Sequence, residues 1–244
     1  MILPTYNEAG SIVRFLVELF DVLDRYAPSS EVLVIDDASP DGTADLIEKH
    51  FEGESRATVV RRAGRRGLAF SIRDGLVRAR GKRLVVMDSD FNHDPQMLPT
   101  LLESLAACDI ASGSRFVPGG GMYSPTRQLG SLTMNAFIAA VLQTRIRDNL
   151  SGFFAIRSER IRPLLRDDVF HGYGDYYFRL LWWAGRLGYR VLETPVVYRS
   201  REGGGSKTPL LRTSFRYAWS VLRFRFSGSR SLGARLGKAA QPGY

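Results

Sequence analysis

Short apolar runs alternate along the chain with stretches whose apolar residues recur every three or four positions. That alternation predicts most of the elements. Glu31–Asp36 (EVLVID), Ala57–Arg61 (ATVVR) and Arg83–Asp88 (RLVVMD) read as strands. Ile2 and Leu3 read as the last residues of a first strand. PTYNEAGSI then leads into a helix whose apolar face is Ile12, Phe15, Leu16, Leu19 and Leu23. Thr43–Phe51, Leu68–Ala79 and Pro95–Ala107 carry helical spacing, and Asp109–Arg115 closes the series. Repeated strand–helix units of this length predict an α/β fold, a mainly parallel sheet flanked by helices on both faces.

The pattern changes after residue 115. VPGGGM reads as a flexible loop, and Thr126–Thr144 as a long helix with Met134, Ile138 and Val141 in register. Gly152–Ile156 reads as a strand. Tyr176–Leu187 reads as a strongly apolar helix with Trp182 and Trp183 in the core, and Tyr189–Tyr198 as one strand. A second glycine-rich loop, REGGGSK, precedes a helix from Pro209 to Phe226 that interleaves leucines and aromatics with arginines. The expected division is a globular domain over 1–208, a basic amphipathic interface helix over 209–226 and a disordered basic tail over 227–244.

Charge sharpens this division. Of a net +9, residues 201–244 hold nine lysines and arginines against one acid, so the body is nearly neutral. Such a basic segment suits phosphates, at an anionic membrane surface or on nucleic acid. The single cysteine, Cys108, excludes an internal disulfide and fits a reducing compartment. MILPTYNEAG has no basic start and reads as no secretory leader. No stretch reaches the roughly 18 uninterrupted apolar residues of a membrane span.

Ligands of open α/β sheets bind at the carboxyl ends of the strands. Three such ends carry unusual residues here: Pro4-Thr5-Tyr6-Asn7-Glu8, Asp36-Asp37 and Asp88-Ser89-Asp90. On its own, Asp-x-Asp is either a strand-to-turn junction or a cation site. Alternating side chains would turn Asp88 and Asp90 to one side, and neighbouring carboxylates repel unless a cation lies between them. Hard oxygen ligands, with Asn92 as a neutral third, suit Mg²⁺ or Mn²⁺ beside a nucleotide's phosphates. His93 reads as a hydrogen bonder behind those ligands, and Arg61, Arg62, Arg65 and Arg66 as a solvated patch.

PTYNE, VIDDASPDGT, RRGLAFSIRDGL, MDSDFNHDP, GSRFVPGG, SGFFAI and REGGGSK follow one another in the order seen in family 2 glycosyltransferases. Over roughly residues 2–210 the chain resembles that family, and within it most resembles the polyprenol (dolichol) monophosphate mannose synthases. The resemblance implies a GT-A, Rossmann-like fold and inverting, metal-dependent transfer of a sugar, mannose from GDP-mannose, to a polyprenyl phosphate. It implies that Pro4, Tyr6, Glu8, Ile35 and Asp37 line the base and ribose pocket, and that Met87 and Ser89 touch the nucleotide. Asp88, Asp90 and Asn92 would hold the metal. Arg115, Arg127, Arg201 and Lys207 would neutralise the donor diphosphate and the acceptor phosphate, with Asp90, Arg115 and Arg127 as the catalytic set. Two positions depart from the family pattern: Ala69 replaces a usual glycine and Asn92 a usual glutamine.

The same resemblance implies a peripheral protein on the cytoplasmic face of a membrane, held by the helix 209–226, with a membrane-embedded subunit as a candidate partner. Two rival readings stay open in the sequence. One is a transferase using a UDP-sugar such as UDP-glucose, or another acceptor. The other is a nucleic-acid binder using the basic tail, against which stands the lack of helix-turn-helix or zinc-ligand spacing. The processive-synthase signature Q-x-x-R-W is missing.

Overall fold

Val32–Asp36 (β2) is buried at every position, as are Ile2–Thr5 (β1) and Ile110–Ser114 (β5), whereas Ala57–Arg61 (β3) is only partly covered. Full burial along a strand requires a layer on each face of the sheet, and partial burial marks an edge. The computed structural model of the chain describes residues 1–199 and 214–226. Within it β1, β2 and β3 pair in parallel, and Ile2 of β1 also pairs in parallel with Val86 of β4 (Arg83–Val86). The seven-stranded order is β3-β2-β1-β4-β7-β5-β8. Phe154–Arg157 (β7) runs antiparallel between β4 and β5, and Val191–Pro195 (β8) pairs in parallel with β5. The expected GT-A-like, mainly parallel α/β architecture is what forms.

Successive strand residues point to opposite faces and enter two separate cores. Leu3, Val34, Val85 and Met87 pack with Phe15, Leu19 and Leu101, beneath helices α1 (Ile12–Tyr26), α2 (Thr43–His50) and α4 (Leu98–Ser104). Ile2, Ile35, Leu84 and Phe154 pack with Ile72, Ile138, Tyr177 and Leu180, beneath α3 (Leu68–Arg78), α5 (Pro125–Leu142) and α7 (Tyr176–Arg186). A short α6 (Ser158–Ile161) and a 3-10 turn follow β7. Trp182 and Trp183 are buried, as their sequence context predicts. A final helix, α8 (residues 214–226), docks on α7 through Val221 and Phe224.

Two expected elements differ. The single strand read over Tyr189–Tyr198 is two, because Pro195 has no N–H to extend the main ladder. Val196 donates to the Ser114 carbonyl and accepts from Gly121, passing the chain from one sheet to another. Val197–Tyr198 (β9) then pairs with Gly121–Met122 (β6), so part of VPGGGM is strand rather than loop. The REGGGSK loop, the first residues of the helix expected over 209–226 and the tail 227–244 lie outside the described residues.

Helix α3 lies so close to β1 that a Cβ on Gly75 would come within 2.4 Å of Ile2 Cγ2 and 3.1 Å of Ile35 Cγ1. Gly185, in α7, faces open space. Gly75→Ala is therefore expected to cost about 2 kcal/mol through overpacking, although alanine is favoured over glycine in a helix by about 1 kcal/mol. Gly185→Ala is expected to stabilise by about 0.5–1 kcal/mol. Denaturant midpoints of the two variants should move in opposite directions; a shared direction would show that the α3–β1 contact is loose.

Candidate active site

The carboxyl ends of β1, β2 and β4 meet the N-terminus of α3 around a cleft of about 530 Å³. Pro4, Tyr6, Glu8, Asp37, Asp88, Ser89 and Asp90 all line it, so the three acidic strand ends converge as the parallel register demands. Asp37 is held by two elements. The Arg62 guanidinium pairs with its Oδ1 and, through Nε, with Asp74 at 2.7 Å. The Gly67 amide at the start of α3 donates to its Oδ2 at 2.7 Å. Gly67 adopts φ +140°, a left-handed region that favours glycine. Arg62 thus does not belong to a solvated patch: its side chain is 6% exposed and clamps the cleft wall. Arg61, by contrast, is exposed and pairs with Asp45 and Glu48 on the surface. Arg66 lies over the Tyr6 ring, 5.6 Å from its centre, where the two form one flat, basic edge.

Asp88 and Asp90 differ in setting. The Asp88 side chain is 36% exposed in the cleft, while Asp90 is almost fully buried. Asp90 accepts from the Asn92 backbone at 3.1 Å and from Asn92 Nδ2 at 3.2 Å. Asn92, expected as a third oxygen ligand, turns a side-chain N–H donor to Asp90 and is outside the lining of the cleft. Behind them His93 is completely enclosed. Its Nδ1 accepts from the Asp88 amide at 2.9 Å, so Nε2 carries the proton and donates to Tyr198 Oη at 2.7 Å. Tyr198 passes the chain on to the Ser151 carbonyl at 2.7 Å. Burial pushes the His93 imidazolium down to about 4, the nearby Asp90 only partly opposing it. His93 is a neutral strut between the Asp-Ser-Asp turn and β9.

Four further expected site residues, Ile35, Met87, Arg115 and Arg127, lie outside the lining of this cleft. Ile35 and Met87 are fully buried in the two cores, because strand alternation turns them away from the cleft. The Arg115 guanidinium is directed at Asp148, with Nε and a terminal nitrogen each at 2.7 Å, and stacks 4.6 Å from the Tyr198 ring centre. It neutralises a buried carboxylate and does not line the cleft. Arg127 is exposed on the first turn of α5, also outside the cleft. Arg201 and Lys207 lie outside the described residues. Conversely, Arg66, Gly67, Leu68, Ser71, Tyr173 and Arg216 line the cleft although sequence reasoning gave them no such role. Only the RRG run beside the helix start hinted at the first of these.

The sequence profile of Glycosyl transferase family 2 matches residues 1–165. The chain belongs to glycosyl transferase family 2. It is a glycosyltransferase. An undecaprenyl-phosphate mannosyltransferase of Micrococcus luteus is 38% identical over 84% of this chain and 85% of its own. A polyprenol monophosphomannose synthase of Mycolicibacterium smegmatis is 33% identical over 85% of this chain and 79% of its own. A crystal structure of mannosyl-3-phosphoglycerate synthase from Rubrobacter xylanophilus shares the fold, with a TM-score of 0.69 at 18% identity over 95% of this chain and 73% of that one. In this family 2 member, the acid-rich cleft occupies the end of the sheet where the α/β fold places its ligands.

The His93 strut has a measurable pH signature. Its folded pKa lies below the ordinary 6.5, so the unfolded chain takes up the proton first as the pH falls. Stability from this group is complete above pH 6.5 and lost down to about pH 4, an effect on the order of 3 kcal/mol. His93→Gln should be less stable at pH 7 and should lose less on acidification across that window. Parallel urea-unfolding profiles for the two proteins would show that His93 is not the group responsible.

Proposed function

We propose that the enzyme transfers mannose, with inversion, from GDP-mannose to a polyprenyl phosphate at the cytoplasmic surface of a membrane. The single observation that carries this reading is the convergence of Asp88 and Asp90 with Tyr6, Glu8, Asp37 and Arg66 in one cleft. The mannosyltransferase relatives support the choice of sugar and acceptor. Tyr6 and Arg66 offer a stacking edge for the base, and Asp37 and Glu8 accept from base and ribose donors.

Among the described residues no group of three histidine, cysteine, aspartate or glutamate side chains could hold a metal by itself. Two carboxylates lining one cleft, one of them steadied by Asn92, fit Mg²⁺ or Mn²⁺, which keep positions for phosphate oxygens and water. Asp88 and Asp90 would hold that ion, and it would supply Lewis-acid charge against the donor diphosphate. Asn92 orients Asp90 through its two N–H donors, and His93 fixes the Asp88 backbone.

A phosphate monoester is already anionic near neutral pH, so the acceptor needs no general base. Its oxygen attacks the anomeric carbon from the face opposite the leaving group. The bond from that carbon to the nucleotide diphosphate breaks, and the electron pair leaves with the diphosphate. The enzyme's work is to align the two phosphates and to exclude water. Arg115, expected in the catalytic set, acts in this reading by locking Asp148 and Tyr198 beneath the site. Arg127, Arg201 and Lys207 remain candidates for acceptor-side charge.

Among the described residues no helix is long and apolar enough to cross a membrane. The surface reading rests on α8. Phe215, Trp219 and Phe226 are 79%, 64% and 71% exposed there, on a helix that also carries Arg216, Arg223 and Arg225.

Asp90→Ala should reduce mannosyl transfer to a short polyprenyl phosphate at least 100-fold, the scale of losing one electrostatic group at the reacting centre. Thermal shift should show stabilisation by GDP that requires Mn²⁺ and fails in the variant. Stabilisation by UDP alone would replace the donor assignment, and undiminished turnover of a well-folded Asp90→Ala protein would remove the metal site.

A further inference from the structure

Beyond Tyr173 and Arg216, which it shares with the nucleotide cleft, lies a second cavity of about 1230 Å³ between α3, the chain that follows α6, and α8. Six arginines line it: Arg65, Arg73, Arg166, Arg179, Arg216 and Arg223. Three aspartates oppose them, leaving a net charge of +3, since burial pushes the His171 pKa down and keeps that ring neutral.

Pairing leaves the excess in one place. Arg179 is bound to Asp175 at 2.7 Å, and Arg166 to Asp168 at 2.8 Å. Arg73 reaches the 95% exposed Asp167 only at 3.4 Å, and its buried Nε has no hydrogen-bond acceptor among the described residues. Arg65, Arg216 and Arg223 have no carboxylate partner among the described residues. Guanidinium groups converging from three elements are the arrangement that recognises a phosphate.

The helix that closes the cavity identifies the source of that phosphate. Asp175 accepts from Ser220 of α8 at 2.8 Å, and Phe224 packs on Trp182 and Phe178, so α8 is fixed with its other side outward. Trp219 lines the cavity and is 64% exposed, with Phe215 and Phe226 on the same helix more exposed still. A soluble phosphate compound or a nucleic acid would satisfy the arginines and leave these rings in water. A bilayer surface satisfies both, the rings entering the acyl boundary while the arginines meet headgroups.

We infer that this arginine-lined cavity is a binding site for the phosphodiester headgroup of an anionic phospholipid, adjoining the nucleotide cleft but distinct from it. The inference rests on the membrane-surface reading above but not on which sugar is transferred. Headgroup binding would hold α8, and with it Arg216 and Tyr173, against the nucleotide cleft.

The test is co-sedimentation of the full chain with phosphatidylcholine vesicles, with and without phosphatidylglycerol. The double variant Arg65→Gln/Arg73→Gln removes two cavity charges on the body side, and Lys49→Gln/Lys82→Gln removes two exposed charges elsewhere. Wild type should bind phosphatidylglycerol vesicles far better than pure phosphatidylcholine. The cavity double variant should lose about 25-fold of that binding, at roughly five-fold per basic residue, and the distant pair much less. Arg223→Gln, on the helix side, should lose about five-fold and serves if the double variant is poorly folded. Equal losses in the two double variants would reduce the effect to diffuse charge and overturn the site, as would wild-type-like binding by the cavity variants. Mannosyl transfer measured in detergent should be unchanged by Arg65→Gln/Arg73→Gln. Absence of transfer by the wild type would overturn the proposed reaction while leaving the vesicle result standing.

Discussion

Carboxylates gathered at the ends of parallel strands repel one another, and the architecture around this cleft is organised by how each is offset. Asp37 is answered by Arg62 and by the first amide of α3. Asp148 and Asp175 are answered by Arg115 and Arg179, both buried pairs in which each side chain would be costly alone. Asp90 receives two N–H donors from Asn92. In the proposed reading a bound cation and a diphosphate would complete the part of the cleft that Asp88 and Asp90 line. Acids buried away from the cleft, Asp148 and Asp175, thus carry their own arginines, whereas Asp88 and Asp90 line the cleft itself.

That distinction also explains what the sequence made legible. The strand ends could be read because burial on both faces produces unbroken apolar runs, and the acids that interrupt them stand out. Tyr6, Glu8, Asp37, Asp88, Ser89 and Asp90 were found that way and share one cleft. Ile35 and Met87 sit inside the same motifs, but the two-residue period of a strand sends their side chains into the cores. Arginines were the harder case. Nothing local separates Arg62, which clamps Asp37, from Arg61 beside it, which pairs on the surface. Arg115 and its partner Asp148 are 33 residues apart, so the pairing that removes Arg115 from the cleft is visible only in three dimensions. The same holds for Tyr173 and Arg216, which come to the cleft from the chain before α7 and from α8.

His93 shows how a motif residue can act at a distance from chemistry. Its two ring nitrogens join the amide of Asp88 to the hydroxyl of Tyr198, and Tyr198 lies in the small second sheet with β6. The first turn of α5 follows β6 closely, and Arg199 follows β9 directly. A neutral link of this kind fixes the Asp-Ser-Asp turn relative to the small second sheet and the elements that flank it. A charged imidazolium there would be buried without a counter-charge in hydrogen-bonding contact, which is why the fold drives its pKa down.

The C-terminal helix carries the same logic to the proposed membrane surface. Its inner side is joined to the body by Ser220 and by Phe224, so its exposed rings and arginines cannot move independently of α7. Arg216 then stands at the rim of two cavities at once, over Tyr173, whose ring both cavities share. In the proposed reading, seating α8 on a surface would bear on the cleft through Arg216 and Tyr173. Should a nucleotide bind more tightly when α8 is seated, reciprocity requires that surface binding and donor binding strengthen each other to the same degree.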